Sequence, residues 1–282
     1  MPAHPPLWIR EPEASRIALV LDSPHSGNVP APFVLPIAPE EALRTTGDAF
    51  VDELYASAPR HGATLIAAMF PRWMVDANRG RDDIDVELID GDWPHPVNPT
   101  RKTQSGMGLL RRLALPGVPM YGRKFRVEEV ETLLRDYYDP YHAAVKDVLD
   151  RTHARFGAVF HIDCHSMKSQ GNAMNDDAGQ LRPDFVVSDR DGTTAGDGFT
   201  GHVADTLRSL GYDVRVNDPY KGAELIRAYA NPAKQRHSIQ IEINRRLYMD
   251  EDAVVKHEGF ARLARDLDRM LEEVAAFVRS RL

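Results

Sequence analysis

Short apolar runs alternate with helix-period segments along this chain, and that alternation restricts it to an α/β fold. "RIALVLDSPHSG" reads as a strand over Ile17 to Leu21 that runs into a polar turn. "DAFVDELYASAPRHG" carries the period of an amphipathic helix closed by Gly62, and "ATLIAAMF" reads as a second strand. "VEEVETLLRDYYDPYHAAVKDVLDRTHARFG" reads as one long helix, or as two broken at Pro140. Strands follow at "AVFHIDC" and "DFVVSD", then a helix in "GDGFTGHVADTLRSLG" that ends at Gly211. "YDVRVND" and "HSIQIEIN" read as the last strands, and Glu251 to Leu282 as a strongly periodic helix. This order predicts a single α/β domain whose sheet is mostly parallel or mixed and is flanked by helices. The opening "MPAHPPLWIREPEAS" reads as a Pro-rich lead-in. About Asp82 to Tyr121, rich in Pro, Gly and Asp, reads as a long functional loop or lid.

The bulk properties narrow the function. A net charge of −7 with dispersed Lys and Arg argues against a nucleic-acid groove. No apolar run exceeds about ten residues, too short for a membrane span. One cysteine cannot form an internal disulfide, which fits a reducing compartment, so a cytoplasmic protein is expected.

Three polar clusters fall at the carboxyl ends of expected strands, where α/β sheets gather ligands: Asp22-Ser23-Pro24-His25, Asp163-Cys164-His165-Ser166 and Glu242-Ile243-Asn244. Side chains alternate along a strand, so His161, Asp163 and His165 share one face, as do Gln240, Glu242 and Asn244. A carboxylate set between isoleucines, as Glu242 is, is costly to bury without a partner, which makes it a stronger candidate than an acid in a loop. Two histidines and one carboxylate around an open position suit a mononuclear zinc hydrolase, with a further Glu as general base. His25, His165, one acid and Glu242 would supply that set. Cys164 and His165 point to opposite faces and cannot form a nucleophile–base pair. The serines lack a G-x-S-x-G elbow. "SGMGLLRR" is Gly-rich without the Lys-Ser/Thr of a phosphate loop, and reads instead as a flexible cover for the pocket.

The stretches "DSPHSG", "GDAFVDELY", "DANR", "HIDCHS", "DFVVSDRDGTT", "NDPYKGAELIRAYANP" and "HSIQIEINRRLYMDE", in this order, resemble the N-formylglutamate amidohydrolase family. The resemblance implies a phosphorylase/hydrolase-like core shared with zinc carboxypeptidases and cell-wall amidases. It further implies hydrolysis of N-formyl-L-glutamate to formate and L-glutamate in histidine degradation. His25, Asp48 and His165 then match the metal ligands, with Asp52 as the alternative to Asp48, and Zn2+ is the expected metal. Glu242 becomes the base, and His161 and Asp163 support the ligands. A substrate with two carboxylates calls for arginine forks. Asn78 and Arg79 are the first choice, with Arg227, Tyr121 and Arg246 for the second carboxylate. The expected partner is a small acidic N-acyl amino acid, with neither nucleic acid nor membrane; the C-terminal helix could pack on its own sheet or in an oligomer.

Overall fold

The computed structural model describes residues 4–196 and 198–282. Seven strands make one sheet: β1 (Leu7–Arg10), β2 (Leu19–Ser23), β3 (Thr64–Ala68), β4 (Val159–Met167), β5 (Phe185–Ser188), β6 (Val214–Val216) and β7 (Arg236–Asn244). Their order is β1-β3-β2-β4-β7-β5-β6. The central four, β3, β2, β4 and β7, run parallel; β1 is antiparallel to β3, and β5 is antiparallel to β7. The expected α/β fold with a mostly parallel, mixed sheet is therefore present.

Strand alternation gives the sheet two different faces. On one, Leu19, Leu21, Phe160, Ile162, Ile239, Ile241 and Ile243 join a core closed by helices α6 (Phe199–Ser209) and α8 (Gly259–Ser280). The stripe Leu263, Leu267, Met270, Leu271, Val274 and Val278 of α8 is buried there, so that helix packs on its own sheet. On the other face α5 (Asp139–Phe156) covers Val20, Ile66 and Val159 near the strand starts. Towards the strand ends this second face turns polar, and the site lies there.

Several elements depart from the sequence expectation. β1 occupies part of the supposed lead-in, whose residues 1–3 lie outside the described set. The helix expected over "DAFVDELYASAPRHG" is a four-residue turn of helix α2 (Val51–Leu54) followed by a 3-10 turn, because Pro59 removes an N–H and Gly62 takes a left-handed conformation at φ 92°. Pro140 breaks nothing: α4 (Val127–Leu133), a π turn over Leu134–Tyr138 and α5 form one continuous helical rod. The last helix starts at Gly259, not Glu251; before it Met249–Asp250 and Val255–Lys256 pair as a small antiparallel ribbon. Asp197, within the expected helix that becomes α6, lies outside the described residues. In the middle segment Leu109, Leu110, Ala114 and Met120 are buried in the core on the α5 side of the sheet, and Met107 is buried beside the cavity.

Candidate active site

The register of β2, β4 and β7 builds the floor of the site row by row. Val20, His161 and Ser238 stand abreast, then Asp22, Asp163 and Gln240, then His165 beside Glu242 at the exit. His161 is locked in the deep row, with Nε2 2.7 Å from Asp22 Oδ1 and Nδ1 2.5 Å from Ser238 Oγ. Tyr141 of α5 donates to the other Asp22 oxygen at 2.7 Å. His161 thus supports the floor and does not reach the exit row.

At the exit, three side chains from three parts of the chain converge. His25 stands just after β2, on a turn that passes so close to β3 that a Cβ on Gly27 would lie 2.2 Å from the Met69 carbonyl carbon. Asp48 follows helix α1 (Glu40–Thr46), its N–H bonded to the His25 carbonyl at 2.9 Å. His165 ends the polar column of β4. Among them His25 Nδ1 lies 3.1 Å from His165 Nδ1 and 3.3 Å from Asp48 Oδ2, and His165 Nδ1 lies 2.9 Å from Asp48 Oδ2. Three donors on one tetrahedral cation with bonds of about 2.0–2.1 Å stand roughly 3.3 Å apart, close to this spacing. The donor set therefore fits a divalent metal. Asp52 stands outside the group.

The outer atoms of each ligand are also held. His25 Nε2 faces Asp76 Oδ1 at 2.7 Å, which fixes the tautomer and leaves the Nδ1 lone pair towards the cluster. Arg72 in turn donates to Asp76 Oδ2 at 2.6 Å. Asp48 does not cap a helix: its second oxygen accepts from Arg245 Nη2 at 2.9 Å, and the same guanidinium donates to the carbonyls of Thr45 and Gly47. His165 Nε2 lies 2.7 Å from Asp163 Oδ1, a bent contact between neighbours on one strand. Asp76, Arg72 and Arg245 were not foreseen as supports. Asp76 and Arg72 come from a loop whose approach to the strands no local pattern announces, and Arg245 from the 3-10 turn directly after β7.

The charges favour a cation at this point. Burial opposes an imidazolium at His165, yet Asp163 and Asp48 draw its pKa well above the usual range. Burial likewise opposes ionised Asp48, but the adjoining His165 and His25 rings and the Arg72 charge hold it well below the ordinary carboxylate value. Among the described residues Glu242 is bonded to Gln240 Nε2 alone, at 2.9 Å, and otherwise faces the cavity. Neither Arg245 nor Arg246 holds it. Burial pushes its pKa up to about 7.

A cavity of about 590 Å³ opens over these groups. Arg79 lines it and donates to the carbonyls of Met107 and Asn78; it forms none of the ion pairs with Asp76, Asp82 or Asp83 that its sequence neighbours suggested. Asn78 also reaches the cavity, but its amide is occupied. Oδ1 accepts from Leu225 N–H at 2.8 Å, which fixes the amide's orientation, and Nδ2 stands 2.8 Å from Asp163 Oδ2 and from His165 Nε2. Asn78 thus holds the Asp163 and His165 side chains of β4 from the cavity wall. Arg227 sits exposed at the cavity rim, paired with Glu224. Arg246 lies outside the cavity and binds Asp184, because it follows β7 by two residues and points away from the exit row. Tyr121 is also outside; its hydroxyl donates to the Trp73 carbonyl and its ring stands edge-on to Phe125. The structure brings into the cavity an arginine the sequence reading passed over, Arg111, only 8% exposed. Burial and the neighbouring Arg72 and Arg79 lower its pKa to about 9.

Comparison with known proteins decides the lineage. The family model described as N-formylglutamate amidohydrolase matches residues 17–249. The chain belongs to that family. It is 31% identical over 276 residues to the N-formylglutamate deformylase of Pseudomonas aeruginosa, covering 94% of this chain and 96% of that one. The Pseudomonas putida deformylase is 30% identical over 244 residues, 84% of this chain and 83% of its own. Among solved structures, N-formylglutamate amidohydrolase from Ralstonia eutropha JMP134 superposes with a TM-score of 0.92 at 41% identity, covering 98% and 99% of the two chains. Membership makes this chain an amidohydrolase acting on linear amides.

Proposed function

We propose that this amidohydrolase cleaves N-formyl-L-glutamate to formate and L-glutamate, the step of histidine degradation expected from its family, with zinc as the metal. The observation that carries the reading is the convergence of His25 Nδ1, Asp48 Oδ2 and His165 Nδ1 beside a carboxylate that faces an arginine-lined cavity. The substrate in the relatives' names fits that arrangement, since a dianion needs guanidinium partners and an amide needs an activated water.

His25, Asp48 and His165 would hold the metal. When bound, a divalent cation there would supply Lewis acidity, lowering the pKa of water to about 7 and polarising the formyl carbonyl. Glu242 acts as the base. Its carboxylate takes a proton from the water that attacks the formyl carbon, and returns it to the nitrogen as the C–N bond breaks. A carboxyl whose pKa lies about 7 is matched to both halves of that transfer near neutral pH. Gln240 keeps the carboxylate aimed, and Arg79 contributes positive charge to the substrate's acidic end.

The test is release of L-glutamate from N-formyl-L-glutamate by purified protein before and after chelation, with zinc returned, and with Glu242→Gln in parallel. Turnover is expected to need metal and to fall at least about 100-fold in Glu242→Gln while zinc is still bound stoichiometrically. No turnover by the zinc-loaded wild type would retire the formyl substrate. Full activity in Glu242→Gln would retire the base.

A further inference from the structure

Among the described residues, Arg111 is a deeply buried cavity cation with no side-chain hydrogen bond or ion pair of its own. Its Nε is buried without any acceptor, and among the described residues no carboxylate lies within 4.0 Å of its guanidinium. The neighbouring arginines are otherwise engaged. Arg72 is bound to Asp76 and approaches Asp48, while Arg79 donates to two backbone carbonyls. A buried, unpaired guanidinium is among the costliest groups a fold can hold, and native chains keep one where a ligand completes it.

The backbone around Arg111 is built to hold it there. Leu109 N–H donates to the Asp83 carbonyl and the Leu109 carbonyl accepts from Asp76 N–H, stitching this segment to the loop that carries Asp76 and Asn78. Asp83 also binds Thr100 N–H and the Thr103 hydroxyl. Gly108 packs where a Cβ would stand 2.7 Å from Thr103 Oγ1. Arg111 then pairs with Met107 across a single antiparallel bridge. Three layers of contacts thus fix the guanidinium over the cavity without giving it a counter-ion.

We infer that Arg111 is the specificity residue that receives one carboxylate of the substrate, a role the Asn78 amide is too occupied to fill. This rests on the proposed substrate class, a dianionic N-acyl amino acid. The incoming carboxylate supplies the acceptors that Arg111 lacks, and a neutral side chain in the same place leaves the guanidinium buried and bare. Selectivity against uncharged analogues follows from that contrast.

The experiment compares Arg111→Met with wild type on N-formyl-L-glutamate, N-formyl-L-glutamine and N-formyl-L-isoglutamine. For the parent substrate kcat/KM should drop about 100-fold or more, mostly through KM. For one of the two mono-amides the change should be under about 5-fold, because that analogue already lacks the carboxylate Arg111 binds; which amide it is identifies the carboxylate. The variant should melt no lower than wild type, since methionine removes a buried unpaired charge. L-Glutamate should raise the melting temperature of wild type and leave that of Arg111→Met unchanged. Equal losses on all three substrates, or no loss on the parent, would overturn the assignment. The L-glutamate arm separates the two readings: a melting shift lost in the variant supports Arg111 even if wild type fails to turn over the formyl compound, whereas a shift of equal size in both proteins sinks Arg111 alone.

Discussion

At the scale of single residues, Asp48 shows how one carboxylate can serve two masters. Oδ2 faces the two imidazoles and Oδ1 is gripped by Arg245, so the side chain has one rotamer that satisfies both. Groups that hold a ligand by its far atom commonly contribute 10–100-fold to metal affinity. Arg245→Met should accordingly weaken zinc binding by about 10-fold or more in a competition titration against a chelating dye, with turnover recovering at saturating zinc. Unchanged affinity would mean that Asp48 is held by its backbone bond to His25 alone. His165 and Glu242 were legible in the sequence because alternation sets each on the polar side of its strand, and His25 because it belongs to the polar cluster that follows the first apolar run. Asp48 was readable only through resemblance to the family, since nothing local distinguishes it from a helix cap. Arg111 was hidden more thoroughly: "LLRR" looks like surface, and only its stitching to the Asp76 loop turns it inward.

At the scale of elements, the parallel strands were legible and the short irregular pieces were not. The helical spacing in "DAFVDELY" reflects residues that are indeed buried, Val51, Leu54 and Tyr55, but they reach the core from a single turn and a bend. Periodicity reports burial, and burial here does not require a helix. The start of α4 offers a clean element-scale test. Glu129 accepts from Arg126 N–H and from both outer nitrogens of Arg123, each at 2.8 Å. Its pKa is lowered from 4.5 to about 2, first by the Arg123 hydrogen bond and against some opposition from burial. Because the folded-state value is the lower one, its stabilisation is complete above about pH 4.5 and fades as the pH falls towards 2. Glu129→Gln should therefore cost about 1 kcal/mol in denaturant melts at pH 7, with the gap to wild type closing by about pH 2. A gap independent of pH would show that packing, not charge, is what Glu129 contributes.

At the scale of the whole molecule, the two faces of the sheet divide the work. The face under α6 and α8 is continuous hydrocarbon, and mutations there should be felt as stability. The opposite face gives up its apolar character row by row towards the exit, exchanging packing for a network of hydrogen bonds and charge pairs. That network draws on residues from 22 to 245, so the site is complete only once the full sheet is assembled. The parts the sequence did not reveal are those long-range approaches, which depend on the sheet order and not on any segment's own preference. β1 is the simplest of them: four residues after a Pro-Pro pair, paired antiparallel with β3 from Leu7 opposite Ala68 to Arg10 opposite Leu65. It occupies the backbone groups along the outer side of β3. Without it, that side becomes an open template for recruitment by another chain's strand. A chain trimmed to begin at Ala14 should stay active in dilute solution yet form strand-exchanged dimers or turbidity as its concentration rises, visible by light scattering. An equally monodisperse trimmed chain would show that β3 is shielded by something other than its neighbour. On this argument β1 matters less to the site than to keeping the edge of β3 from the chain's own copies.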